Sequence, residues 1–169
     1  MKLLKMCVIV LVLMIPLAVA EGLSSIQPGM EAPDFEVTTL EGDAFILSEN
    51  RGKVVLLNIW ATWCPPCVSE MPDIQRLSDA HPDDLTVIGV SVDDSSEEVA
   101  AFVAENGLTY NFAMDENYLL AGLLYPTEYI PESVFINPSG IITSVEVGTA
   151  TYAQLEYRFQ QALDTTVEQ

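Results

Sequence analysis

Trp60 to Pro72 reads WATWCPPCVSEMP: two cysteines enclose two prolines, and a glutamate follows three residues later. The stretch leading into it, Lys53–Ala61 (KVVLLNIWA), is almost continuously apolar and of strand length, as a central strand covered on both faces must be. Beyond the cysteines, Pro66–Ala80 carries Val68, Met71, Ile74 and Leu77 along one side, a helical spacing, and Pro66 suits a first turn where no amide donor is needed. Pro72 falls inside that helix and is expected to kink it. Strand, thiol pair and helix form the unit around which the rest is arranged.

Upstream, Asp34–Leu40 and Ala44–Leu47 flank Glu41-Gly42-Asp43 and suit a small hairpin. Downstream, Leu85–Val92 reads as a second buried strand. Ser95-x-x-Glu98 reads as a capping box for a helix over Glu97–Asn106, stopped by Gly107. A short strand, Tyr110–Met114, and a helix, Glu116–Leu124, come next, then the loop Tyr125–Glu132. Ser133–Asn137 and Ile141–Val147 flank Pro138-Ser139-Gly140 as a second hairpin, and an amphipathic helix over Thr151–Asp164 closes the chain, with Tyr152, Leu155, Phe159 and Leu163 on one face. Alternating strands and helices followed by a hairpin and a helix predict an α/β, three-layer α/β/α sandwich with a mixed central sheet.

The chain has 169 residues, enough for one substantial core. Met1–Ala20 has a basic start (Lys2, Lys5), an apolar run from Met6 to Ile15 and the ending Ala18-Val19-Ala20, the pattern of an export signal with its cleavage site. A retained anchor is the alternative, although Met6–Ala20 falls short of the roughly 20 residues a span needs. Residues 21–31 read as a polar linker, 32–165 as the domain and 166–169 as a tail. The formal net charge is -19. Loss of the leader would leave only Arg51, Lys53, Arg76 and Arg158 as permanent cations, which excludes nucleic acid and anionic membrane surfaces as partners.

Cys7 would leave with the leader, so Cys64 and Cys67 are the thiols of the exported chain, in a compartment where disulfides persist. A staple closing so short a loop contributes only about 2 kcal/mol. A closed metal site wants four N or S ligands, and only His81, which reads as a solvated turn residue, could join the pair. No metal and no other cofactor are expected. Redox chemistry accounts for the placement better. Cys64 stands just before a helix whose unpaired amides and dipole favour a thiolate. It reads as the exposed attacker, with Cys67 one turn in as the shielded resolver.

These residues resemble the TlpA/ResA-like branch of the thioredoxin superfamily, exported or membrane-anchored thiol-disulfide oxidoreductases. The likeness is carried by Ala32-Pro33-Asp34-Phe35, Arg51-Gly52-Lys53-Val54-Val55, Asn58-Ile59-Trp60-Ala61-Thr62-Trp63-Cys64-Pro65-Pro66-Cys67, Glu70-Met71-Pro72, and Ile130-Pro131 ahead of Phe135-Ile136-Asn137-Pro138-Ser139-Gly140. The resemblance implies a thioredoxin fold with an N-terminal hairpin and a strand-helix insertion. It implies a redox-active Cys64–Cys67 disulfide, a cis Pro131 facing it, and an acid, Glu70, that tunes the thiols and relays protons. Asn58 stands where thioredoxin has a buried acid, which moves proton handling toward Glu70. Trp63, Pro65, Ile130 and Glu132 are the expected substrate-facing residues, with the Ile130 backbone pairing to an extended segment. Trp60, on the strand, reads equally as a flank of the site or as plain core packing. Glu132 departs from the threonine usual in the branch and predicts a more acidic groove.

The implied activity is reduction of protein disulfides outside the cytoplasm by a monomer. Apocytochrome c cysteines are the leading targets and a membrane thiol donor the electron source. Oxidative folding, a peroxiredoxin-like peroxidase activity and a metal-carrying or disulfide-stabilised binding module are the competing readings.

Overall fold

The computed structural model describes residues 26–165. The expected leader, Met1–Ala20, and the tail, 166–169, lie outside the described residues. Among the described residues no helix is long and apolar enough to cross a membrane.

The elements run β1 (Glu36–Thr38), β2 (Ala44–Ile46), β3 (Val54–Trp60), α1 (Pro65–Ala80), β4 (Leu85–Ser91), α2 (Ser96–Glu105), β5 (Asn111–Met114), β6 (Glu132–Ile136), β7 (Ile142–Val147) and α3 (Tyr152–Asp164). β1 and β2 form the small antiparallel hairpin; the main sheet has the order β5-β4-β3-β6-β7. β4 lies parallel to β3 and to β5, whereas β6 is antiparallel to β3 and β7. The sheet is therefore mixed, as expected.

Every residue of β3 is buried, which is why its sequence shows no polar alternation. Its side chains still alternate between two cores. Val54, Leu56 and Trp60 face the layer of α1, α2 and α3, packing with Met71, Ile74, Val99, Leu155 and Phe159. Val55, Leu57 and Ile59 face the opposite layer, where the hairpin's Phe35 and Phe45 meet Leu120 and Tyr125. Asn58 belongs to the first face by this alternation, a placement that governs the site.

Several local expectations change. The helix expected over Glu116–Leu124 is instead a short 3₁₀ turn, Glu116–Tyr118, followed by a π-helical turn, Leu120–Leu124. Asn117 and Tyr118 take positive φ, 58° and 54°. The buried Asp115 carboxylate accepts hydrogen bonds from the Leu120 and Ala121 amides, both at 2.8 Å. That local acceptor replaces the start of a regular helix. The linker ends earlier than residue 31: Ile26 is buried, and Gly29 N and Ala32 N donate to Ile142 O and Gly140 O at 2.8 and 2.9 Å. Residues 26–31 thus pack on the β7 edge. Ser95 caps α2 through the Glu98 amide, but the full reciprocal box is built by Thr151 and Gln154 at the start of α3. α1 is one uninterrupted helix through Pro72.

His81 is not a solvated turn residue. Its ring lies 4.2 Å from that of Phe159, and Nε2 is 2.9 Å from Glu156 Oε2. The packing of α3 across the end of α1 brings these residues together, which nothing near His81 in sequence announces.

Candidate active site

β3 ends at Trp60, and the chain turns at once into the thiol pair. Cys64 N donates to Ala61 O at 3.2 Å. The turn is pinned from the neighbouring strand: Asp93, just past β4, accepts from Thr62 N at 2.9 Å and from Thr62 Oγ1 and Ser91 Oγ, both at 2.6 Å. Sequence reading missed Asp93. The available signal was topological, because Trp60 and Ser91 are register partners in parallel strands, so the loops following them emerge side by side.

Cys64 is the N-cap of α1. Its sulfur accepts from the Cys67 amide at 3.3 Å, and its carbonyl accepts from Val68 N at 3.1 Å. Pro65 and Pro66 occupy the first positions, where no amide bond is forfeited. The two cysteines form a disulfide with an S–S distance of 2.06 Å and Cα atoms 5.3 Å apart. Cys67 is fully buried. Cys64, expected to be exposed, is only 5% so in this oxidised form. It is covered by the loop before β6, whose Ile130 carbonyl oxygen lies 3.7 Å from Cys64 Sγ. A disulfide sulfur carries no proton, so this is a contact, and it can become a hydrogen bond only after reduction.

The Ile130–Pro131 peptide bond is cis, and proline is the residue that tolerates that geometry. Pro131 is buried, and its carbonyl accepts from Gly148 N at 2.8 Å, fixing the loop to the end of β7. The loop therefore presents the Ile130 backbone to the disulfide.

Glu70, one turn after Cys67, is 1% exposed. Its Oε1 accepts from Asn58 Nδ2 and its Oε2 from Ala150 N, both at 2.9 Å. Burial pushes its carboxyl up to about 7, against the smaller opposing pull of the Ala150 amide and the Asn58 amide. Asn58 Nδ2 also donates to Ser133 Oγ at 3.1 Å, since Asn58 and Ser133 are register partners on β3 and β6. A carboxyl with this proton affinity, held inside and close in chain to the thiols, can accept or return a proton near neutral pH. Ser133 and Ala150 were not singled out from sequence; only the strand pairing reveals them.

The remaining expected residues separate. Trp63 is 64% exposed and Pro65 is exposed beside it. Glu132 is 4% exposed and lies on the sheet face opposite Ser133. Burial raises its carboxyl, opposed in part by the nearby Thr127 side chain, whose hydroxyl donates to Tyr129 O, and Glu132 Oε1 has no hydrogen-bond partner. It sits beneath the loop surface that was expected to display it, because the register that aims Ser133 at Asn58 turns its neighbour inward to the other core. Trp60 is fully buried against Phe102 and Phe112, as core packing. Among the described residues no group of three or more His, Cys, Asp or Glu is placed to hold a metal ion.

A family model described as AhpC/TSA matches residues 28–145. The chain is 38% identical over 139 residues to the thioredoxin-like protein YneN of Bacillus subtilis strain 168, covering 79% of each chain. It is 36% identical over 131 residues to the thiol-disulfide oxidoreductase ResA of Bacillus thuringiensis strain Al Hakam, covering 77% of this chain and 75% of that one. A crystal structure of a thiol:disulfide interchange protein of the thioredoxin family from Chlorobium tepidum TLS matches with a TM-score of 0.72 and 28% identity, over 82% of this chain and 99% of that one. A cysteine pair at a helix start, a cis proline against it and these relatives agree: the chain belongs to the AhpC/TSA family, among its ResA-like thiol-disulfide oxidoreductases with a thioredoxin fold.

Proposed function

We propose that this oxidoreductase reduces protein disulfides outside the cytoplasm, with Met1–Ala20 as its export leader or anchor and residues 32–165 as the core of its catalytic domain. The observation that carries the reading is the placement of Cys64 at the start of α1, directly under the Ile130 carbonyl of the cis-proline loop. A substrate segment extended along that loop meets Cys64 first.

In the reduced enzyme the Cys64 thiolate, favoured by the helix start, attacks one sulfur of a substrate disulfide. A mixed disulfide forms and the other substrate thiolate leaves, taking a proton from solvent. Cys67 then gives its S–H proton to the Glu70 carboxylate and attacks Cys64 Sγ. The second substrate thiolate leaves, the substrate has gained two electrons and the Cys64–Cys67 disulfide is restored. Trp63, Pro65 and the Ile130 backbone form the docking surface around Pro131, and Glu132, turned into the opposite core, lies outside it. A membrane thiol donor returns the electrons, the enzyme works as a monomer, and apocytochrome c cysteines are the target class. Cys67→Ser in the native host tests this: the unresolved intermediate should accumulate as an adduct on Cys64 whose partner is the substrate. An adduct with no extracytoplasmic protein overturns the reading.

The AhpC/TSA match also supports a peroxide-reducing activity, discriminated by peroxide consumption with a thiol donor. The present disulfide within C-x-x-C favours dithiol exchange.

A further inference from the structure

Asn58 is completely buried, yet only one end of its amide is used: Nδ2 donates to Glu70 Oε1 and Ser133 Oγ, while Oδ1 has no hydrogen-bond partner. A buried amide oxygen left alone forfeits the hydrogen bonds it had with water, and such a group calls for a reason. Both partners of Nδ2 are groups whose role can reverse. A carboxyl accepts when ionised and donates when protonated, and a serine hydroxyl can do either by rotating. An asparagine amide turned by 180° keeps its shape and exchanges its oxygen for its nitrogen.

We propose that Asn58 and Ser133 are positioning residues for proton transfer at Glu70, forming a hydrogen-bond set that reverses direction when Glu70 gains or loses its proton. With Glu70 ionised, Nδ2 donates to Glu70 Oε1 and Ser133 Oγ. With Glu70 protonated, the turned amide presents Oδ1, which accepts from the Glu70 O–H and from the Ser133 hydroxyl. Each state places two satisfied bonds on the Glu70 side and one orphaned amide end on the other, so neither protonation state leaves the carboxyl without a partner. The proton that Cys67 gives up is then received by a carboxyl whose surroundings are built for both forms. Serine at 133 and asparagine at 58 are both required, since an apolar residue at either position removes a reversible partner.

The other groups around Glu70 take no part in the exchange. The Ala150 amide only donates. The Tyr110 phenol, just ahead of β5, is buried without a hydrogen-bond partner, and burial followed by the Glu70 charge keeps it protonated. Glu146, the β7 register partner of Ser133, is held by Arg158 at 2.6 Å.

This inference rests on the reading of Glu70 as the proton-exchanging group, and one experiment separates the two. In the oxidised wild-type protein, NMR follows the Glu70 carboxyl carbon and the nuclear Overhauser contacts between the Asn58 Nδ2 protons and the Ser133 Hβ protons, from about pH 5 to about pH 9. The carboxyl should titrate about pH 7, and the Asn58–Ser133 contacts, present above that midpoint, should be lost below it. In Glu70→Gln the amide should keep one orientation throughout. A carboxyl that titrates while the contacts persist on both sides overturns the reversal alone. Contacts that still switch in Glu70→Gln overturn it as well, because another group then drives the change. A carboxyl that does not titrate in this range overturns both the Glu70 reading and the reversal.

Discussion

Cys64 Sγ lies 3.7 Å from the carbonyl oxygen of Ile130, a residue 66 positions downstream. The sulfur at the start of α1 and the backbone of the cis-proline loop are thus joined by a tertiary contact that forms only when β6 pairs with β3. The geometry leaves Cys64 5% exposed at the start of α1 and Cys67 fully buried, which is the basis for proposing Cys64 as the sulfur that meets partners.

Cys64→Ser should therefore abolish insulin reduction in dithiothreitol down to the uncatalysed background. Cys67→Ser should lose turnover but retain adduct formation, seen as a dithiothreitol-sensitive mass increase. Equal adduct yields from the two variants would contradict the assignment of attacker and resolver.

Glu70→Gln has a pH signature with a definite sign. The native carboxyl titrates near 7, against 4.5 for the ordinary group, so the folded protein binds the extra proton between those values. Stability of the wild type should fall as pH rises from about 4.5 to about 7, by up to about 3 kcal/mol, and then level off. The variant lacks this slope, so its advantage should be absent near pH 4 and greatest above pH 7 in urea unfolding. Its resolving step should slow by about tenfold or more at neutral pH, since the internal base is gone.

Asp93→Ala strips the acceptor from Thr62 N, Thr62 Oγ1 and Ser91 Oγ together. A loss of about 1–3 kcal/mol is expected by denaturant titration, with Asp93→Asn losing less. Reductase kcat/KM should fall several-fold in Asp93→Ala even at temperatures where the variant is fully folded, because the turn carrying Cys64 is released.

Gly89→Ala places a methyl group 3.0 Å from two carbons of the Phe112 ring and 3.2 Å from Trp60 Nε1. Both rings are fully buried, so the neighbours have little room to yield. Thermal unfolding should show a loss of about 1–3 kcal/mol.

Much of the architecture was legible along the chain. The apolar run of β3, the helix after the cysteines, the terminal hairpin and α3 each announce themselves through periodicity and turn residues within a short window. The segment after β5 did not, because the Asp115 side chain supplies acceptors that no helix propensity scale includes. His81 was misread for a related reason: its ring partner Phe159 and its acid Glu156 come from the far end of the chain. Glu132 was placed correctly beside Pro131, but its direction depends on strand register, and the register turns it away from the groove.

By itself the sequence determined the unit that carries the chemistry: a buried strand, a thiol pair at a helix start, and an acid one turn later. These are local in chain, and backbone periodicity and helix-end electrostatics act over a few residues. Tertiary structure alone decided what surrounds that unit. Asn58, Ser133 and Ala150 reach Glu70 or its network across 12, 75 and 80 positions of chain. Their meeting depends on which strands pair and in what register, and on where α3 docks. Burial then raises the proton affinity of Glu70, because an ionised carboxyl loses water there and regains only two hydrogen bonds.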